Sequence, residues 1–194
     1  GNQIVLLLNK LLIQLNNELG LICEQTAFIA TSIAMNDTTK TEHSLKNIFL
    51  TSLFHLIGVQ RFFGEKYTSL NSLTTSQKNK CFIYSYSYLK YMSPLGEDAK
   101  ALIFYDKKYN PEIAQKIPQM ENASLIFDAQ KILFLLRNNN FTYTQEDLAK
   151  ISEARANTKY IEIFKNADKT GKITKLLKTC TYKETLTLWN NTFK

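Results

Sequence analysis

Thr41-Glu42-His43-Ser44-Leu45-Lys46-Asn47-Ile48-Phe49-Leu50-Thr51-Ser52-Leu53-Phe54-His55-Leu56-Ile57-Gly58 runs without proline, and without glycine before its last position. Leu45, Ile48, Phe49, Ser52, Leu53, Leu56 and Ile57 recur at helical spacing, so one broad apolar face needs partners on more than one side. That pattern predicts a helix over Thr41 to Gly58 inside a helical bundle.

Working outward, apolar residues at 4, 7, 8, 11, 12, 15 and 19 predict a first helix from Gln3 that Gly20 ends at the C′ position. A second is expected from Cys23 to Met35, with Ala27, Ala30, Ile33 and Ala34 inward, broken by Asn36-Asp37-Thr38-Thr39. Residues 59–73 read as an irregular connection. Thr74 and Gln77 form a capping-box pattern opening a helix to Met92, whose Tyr84, Tyr86, Tyr88 and Tyr91 cover several faces and predict burial on several sides. A shorter helix ends at Phe104, and Asp106 to Glu112 reads as a polar loop. Pro118 opens a long helix to Arg137, stopped by Asn138-Asn139-Asn140. Thr144 and Asp147 cap another helix, and Thr158 to Asn166 gives one more. The expected fold is all-α, a compact bundle of about seven to nine helices. Its expected organisation is an N-terminal helix (1–20), a main helical domain (21–166) and a basic helical extension (167–194).

Bulk composition agrees. A chain of 194 residues with 44% hydrophobic and 21% charged residues is an ordinary globular one, and 6 Gly with 3 Pro are too few for a many-turned β-sandwich. Cys23, Cys81 and Cys180 lack any C-x-x-C spacing for zinc and read as reduced thiols in a cytoplasmic setting. The apolar run Ile4 to Leu8 is too short to span a bilayer. The net charge of +7 is concentrated towards the end, where lysines 165, 169, 172, 175, 178, 183 and 194 face only Asp168 and Glu184. A nucleic-acid patch is one reading of that end. A solvated helix face is preferred, because arginine and stacking aromatics are nearly absent there.

Only two histidines occur. His43 reads as a surface residue, and His55, set among apolar residues, as a hydrogen-bonded core histidine. Yet Phe54-His55-Leu56-Ile57-Gly58 resembles the L-H-D-I-G core of the HD phosphohydrolase superfamily, with leucine in place of aspartate. Other segments are similar, in order, to the HD-GYP branch. Gln25-Thr26-Ala27-Phe28-Ile29-Ala30 resembles its H-S-x-x-V-A segment, and Leu73-Thr74 with Tyr84-Ser85 its L-T…H-P stretch. Tyr105-Asp106-Lys107-Lys108-Tyr109-Asn110 resembles H-H-E-R-W-D, without the G-x-G-Y-P that should follow. Ile117-Pro118 and Asp128-Ala129 resemble I-P…A-D, and Thr144 to Ala149 with Tyr160-Ile161-x-x-Phe164 the closing helices. The likeness covers roughly residues 20–166.

That resemblance implies helices around an iron or manganese cluster, whose metal-activated water attacks cyclic di-GMP. Carried over, the metal positions are Gln25, His55, Leu56, Tyr84, Tyr105, Asp106 and Asp128, and the lysine after the D-I-G is Val59. Only His55 and Asp128 keep their identity, with Asp106 a substitute donor. The resemblance therefore implies a vestigial site with no catalytic residue and no bound metal, His55 and Asp128 forming a relic hydrogen-bonded pair. The expected role is regulatory or protein-interacting, beside a protein partner or adjoining bacterial signalling domain, as a monomer or weak dimer. The rival reading is a phosphodiesterase with a reduced iron or manganese site on His55, Asp106 and Asp128.

Overall fold

The computed structural model describes residues 17–63, 73–92, 95–106, 117–153 and 158–179. They are helical, with no strand among the described residues: α1 (Asn17–Met35), α2 (Glu42–Phe54), a 3-10 turn (Ile57–Val59), α3 (Gln60–Phe63), α4 (Thr75–Leu89), α5 (Leu95–Asp106), α6 (Met120–Asn138), α7 (Gln145–Glu153), α8 (Lys159–Ala167) and α9 (Lys172–Lys178).

Local chemistry sets most boundaries. The Thr41 hydroxyl accepts the Ser44 N–H to start α2. Thr74 and Gln77 close a reciprocal capping box at α4, and Thr144 and Asp147 do the same at α7. At the end of α6, Asn140 and Phe141 take left-handed φ of 52° and 58°. The Phe141 N–H then reaches back 2.6 Å to the Leu136 carbonyl, a Schellman-type closure.

Three expectations are corrected. α1 runs unbroken through Gly20, which is buried. Leu19, Ile22 and Cys23 around it are at most 2% exposed, and that burial outweighs the roughly 1 kcal/mol helix penalty of glycine. The stripe proposed from Gln3 lies mostly outside the described residues. α2 ends at Phe54, short of Gly58, and hands over to the 3-10 turn. α4 is not buried all round and stops at Leu89, short of Met92: Cys81, Phe82, Ser85 and Leu89 face inward, while Tyr88 is 42% exposed and Tyr91, past the helix end, 80%.

α1 and α2 form an antiparallel hairpin, with Asp37 holding the connection by accepting from the Thr39 N–H and hydroxyl. α1 also runs antiparallel to α6, since Lys40 beyond its C-terminus meets Asn122 while Gln25 meets Arg137. These helices, with α8 and α9, enclose Leu19, Ile29, Ile33, Ile48, Leu125, Ile132, Phe164 and Leu177 in the main core. A smaller cluster joins α2 to α4 and α5 through Phe49, Leu53, Leu89 and Leu95. Ile173 and Leu177 are buried in the main core, so α9 packs as part of the bundle. No helix among the described residues is long and apolar enough to cross a membrane.

Candidate functional site

His55 is the C-cap of α2 and is 1% exposed. Its Nδ1 lies 2.6 Å from the Ser52 carbonyl, which can only accept, so Nδ1 carries the proton. Nε2 then accepts from the Gln130 amide nitrogen on α6 at 2.9 Å. Burial holds the imidazole at a pKa of about 4, against the weaker opposing effect of the Ser52 carbonyl. The ring is neutral at pH 7 and both nitrogens are engaged.

Beyond the ring, the His55 carbonyl accepts from the Ser85 hydroxyl at 2.8 Å, and Ser85 Oγ accepts the Gly58 N–H at 2.9 Å. A Cβ on Gly58 would lie 2.2 Å from the Cys81 carbonyl oxygen. Glycine is thus required by the close approach of two backbones, and the Phe54–Gly58 motif welds the end of α2 to α4.

Gln25, Leu56, Tyr84 and Asp128, also implied by the resemblance, sit in separate surroundings. The Leu56 backbone hydrogen-bonds the Cys23 sulfur, whereas Gln25, two residues on, points about 200° away around α1. There Gln25 donates to the Leu177 carbonyl at 3.3 Å and accepts from Arg137 Nη1 at 2.9 Å. The Tyr84 ring packs 5.3 Å from the Phe62 ring, with the Arg61 guanidinium 4.9 Å from its centroid. Asp128 is two residues before Gln130 and so turns away from His55, towards the Glu121 and Tyr160 side of α6. Its charge is felt at Tyr160, and burial pushes its carboxyl up to about 7. His55 and Asp128 therefore do not form the expected pair. Tyr105 and Asp106 close α5, and their side chains lie outside the described residues.

These groups do not fit the metal cluster that the resemblance implies. His55 presents no unengaged nitrogen, Leu56 presents an apolar side chain, and Gln25 is held on the far flank of α1. Among the described residues no three histidine, cysteine, aspartate or glutamate side chains gather closely enough to hold an ion.

Sequence reading missed a polar network where α2, α5, α6 and α8 begin. Lys40 Nζ donates to Tyr160 OH at 3.0 Å and Asn122 Oδ1 at 3.3 Å, and Tyr160 OH donates to Glu121 at 2.8 Å. Asn122 also donates to Asp98 and accepts from Ser44, while Lys159 pairs with Asp37 at 3.1 Å. Burial lowers the Lys40 pKa and raises those of Asp98 and Tyr160. Burial also pushes Asp37 up, but hydrogen bonds from Thr39 and Lys159 outweigh it and leave its carboxyl low. With Tyr160 at 0% exposure, the network fastens four helix starts together. Its only local signal was the polarity of Asp37, Lys40 and Asn122 at helix ends.

Fold and side-chain arrangement together define the class: an all-helical bundle whose buried polar groups tie helices to one another. No protein-family model, curated protein or solved structure matches the chain.

Proposed function

We propose that this chain is a catalytically inactive, HD-GYP-like helical domain with a signalling, regulatory or protein-interaction role. The observation that carries this reading is the double engagement of His55: one nitrogen donates to Ser52 and the other accepts from Gln130. An imidazole must offer a lone pair to ligate a metal or take a proton, and this one offers neither without breaking a buried hydrogen bond. The separation of Gln25, Leu56 and Asp128 onto different faces supports the same reading. The bacterial cyclic-dinucleotide context, and a protein partner or neighbouring signalling domain, come from the motif resemblance and are proposed on that basis.

The test is hydrolysis of cyclic di-GMP and bis-p-nitrophenyl phosphate with added manganese or ferrous iron. The expected result is no turnover above buffer. Turnover that disappears in His55→Ala would instead establish a phosphodiesterase working through His55, Asp106 and Asp128.

A further inference from the structure

Between α1, α6 and α9 a cleft of about 340 Å³ opens to the surface, lined by Leu21, Gln25, Arg137, Phe141 and Lys178. Its volume lies at the small end of ligand clefts, which run about 300–1,000 Å³. The lining sorts into two chemistries: two cations with a buried amide, and two apolar side chains.

Arg137 is positioned and does not hang free. Gln25 is 3% exposed; its amide donates to the Leu177 carbonyl, and its oxygen takes one guanidinium N–H of Arg137. The guanidinium carries five donors in a planar fork, so most of its capacity remains directed elsewhere. The described residues place a carboxylate against Lys159, but against neither Arg137 nor Lys178.

Several carbonyls at these helix ends already have donors of their own. The final carbonyls of α6 at Leu135 and Leu136 already accept N–H groups from Asn139 and Phe141. At the end of α9, Leu176 accepts from Thr179, and Leu177 accepts from Gln25. Each helix end contributes roughly half a negative charge, whereas Arg137 and Lys178 each bring a full positive one to the lining. Phe141 meanwhile lines the cleft from a left-handed backbone, with φ of 58°. A bulky residue is held there at a cost of about 1–2 kcal/mol by the same closure that ends α6.

We propose that this cleft binds a small organic oxyanion, a phosphate ester or carboxylate. Arg137 and Lys178 grip the anionic group, Gln25 orients Arg137, and Leu21 and Phe141 cover an apolar or ring portion. The site is separate from the Phe54–Gly58 motif, and the inference goes beyond the non-catalytic reading without depending on it.

Titration calorimetry at low salt with phenyl phosphate, phenylacetate and the neutral control benzyl alcohol tests it. At least one anion binds saturably at one site per chain and benzyl alcohol does not; the tighter anion tells phosphate from carboxylate. Arg137→Met and Lys178→Met each weaken binding about tenfold or more, the loss of a charge-assisted hydrogen bond. Lys178 is exposed, so its variant folds normally even if Arg137→Met does not. Lys80→Met, an exposed lysine on α4, leaves binding unchanged. Absence of saturable binding by either anion overturns the proposal, as does equal weakening by Lys80→Met and Lys178→Met.

Discussion

Replacing Gly58 by alanine tests whether the Phe54–Gly58 motif acts as a packing joint. The new Cβ would meet the Cys81 carbonyl oxygen at 2.2 Å and the Ser85 nitrogen at 2.5 Å. Both lie more than about 1 Å inside ordinary contact distance. Both obstacles are backbone, so relief requires the 3-10 turn and α4 to separate. Separation stretches the Gly58 N–H to Ser85 bond and the Ser85 to His55 carbonyl bond, 2.9 and 2.8 Å long, at about 1 kcal/mol each. It also disturbs the packing of Leu56, Val59 and Cys81, adding about 1–3 kcal/mol. The expected loss is therefore about 3–5 kcal/mol, read by urea denaturation followed by helical circular dichroism. Two glycines calibrate it. Gly171→Ala meets nothing within 4 Å but sits at φ +75°, so it should lose about 1–2 kcal/mol. Gly96→Ala, with its nearest contact at 3.4 Å, should change stability by less than about 1 kcal/mol. A Gly58→Ala protein as stable as Gly171→Ala would refute the reasoning.

Three further outcomes follow from buried groups. His55 is held at about 4 against an ordinary 6.5, so the unfolded chain binds its proton first as pH falls. Its stabilisation is complete above pH 6.5 and is lost as pH drops through 4, by up to roughly 3 kcal/mol; His55→Gln should flatten the stability curve in that window, and a parallel curve contradicts the assignment. Asp128 runs the other way: raised from 3.8 to about 7, its contribution is complete below pH 3.8 and lost as pH rises through 7. Asp128→Asn should therefore be more stable than the parent at pH 8, and thermal melts showing the reverse would mean the carboxylate is favoured in the fold. Tyr143 donates to Asp168 at 2.6 Å, so Tyr143→Phe should lose about 1.5–3 kcal/mol by urea denaturation, and an unchanged midpoint would mean that this hydrogen bond does not stabilise the fold.

Most helix boundaries were legible because caps are local chemistry. The Thr74–Gln77 box, the Thr144–Asp147 pair and the Asn138–Asn140 stop each lie within a few residues. Gly20 misled for a tertiary reason: a glycine ends a helix only where burial does not carry the helix onward. The outward aim of Tyr88 and Tyr91 depends on which helices surround α4, and four tyrosines in eight positions do not reveal that. The candidate site was least legible. Motif order places His55 and Asp128 in chain sequence, but azimuth around α6 decides which side chain meets the imidazole, and Gln130 occupies that place. The Gln25–Arg137 contact joins residues 112 positions apart, a separation no periodicity reports.

The most direct test of the account is elemental analysis of the purified full chain, after growth with iron and manganese supplied and without chelator. The account predicts no stoichiometric iron, manganese or zinc, because His55 is engaged on both nitrogens and Gln25, Leu56 and Asp128 are not gathered around it. One or more metal ions per chain, lost in His55→Ala while the fold persists by circular dichroism, would contradict it.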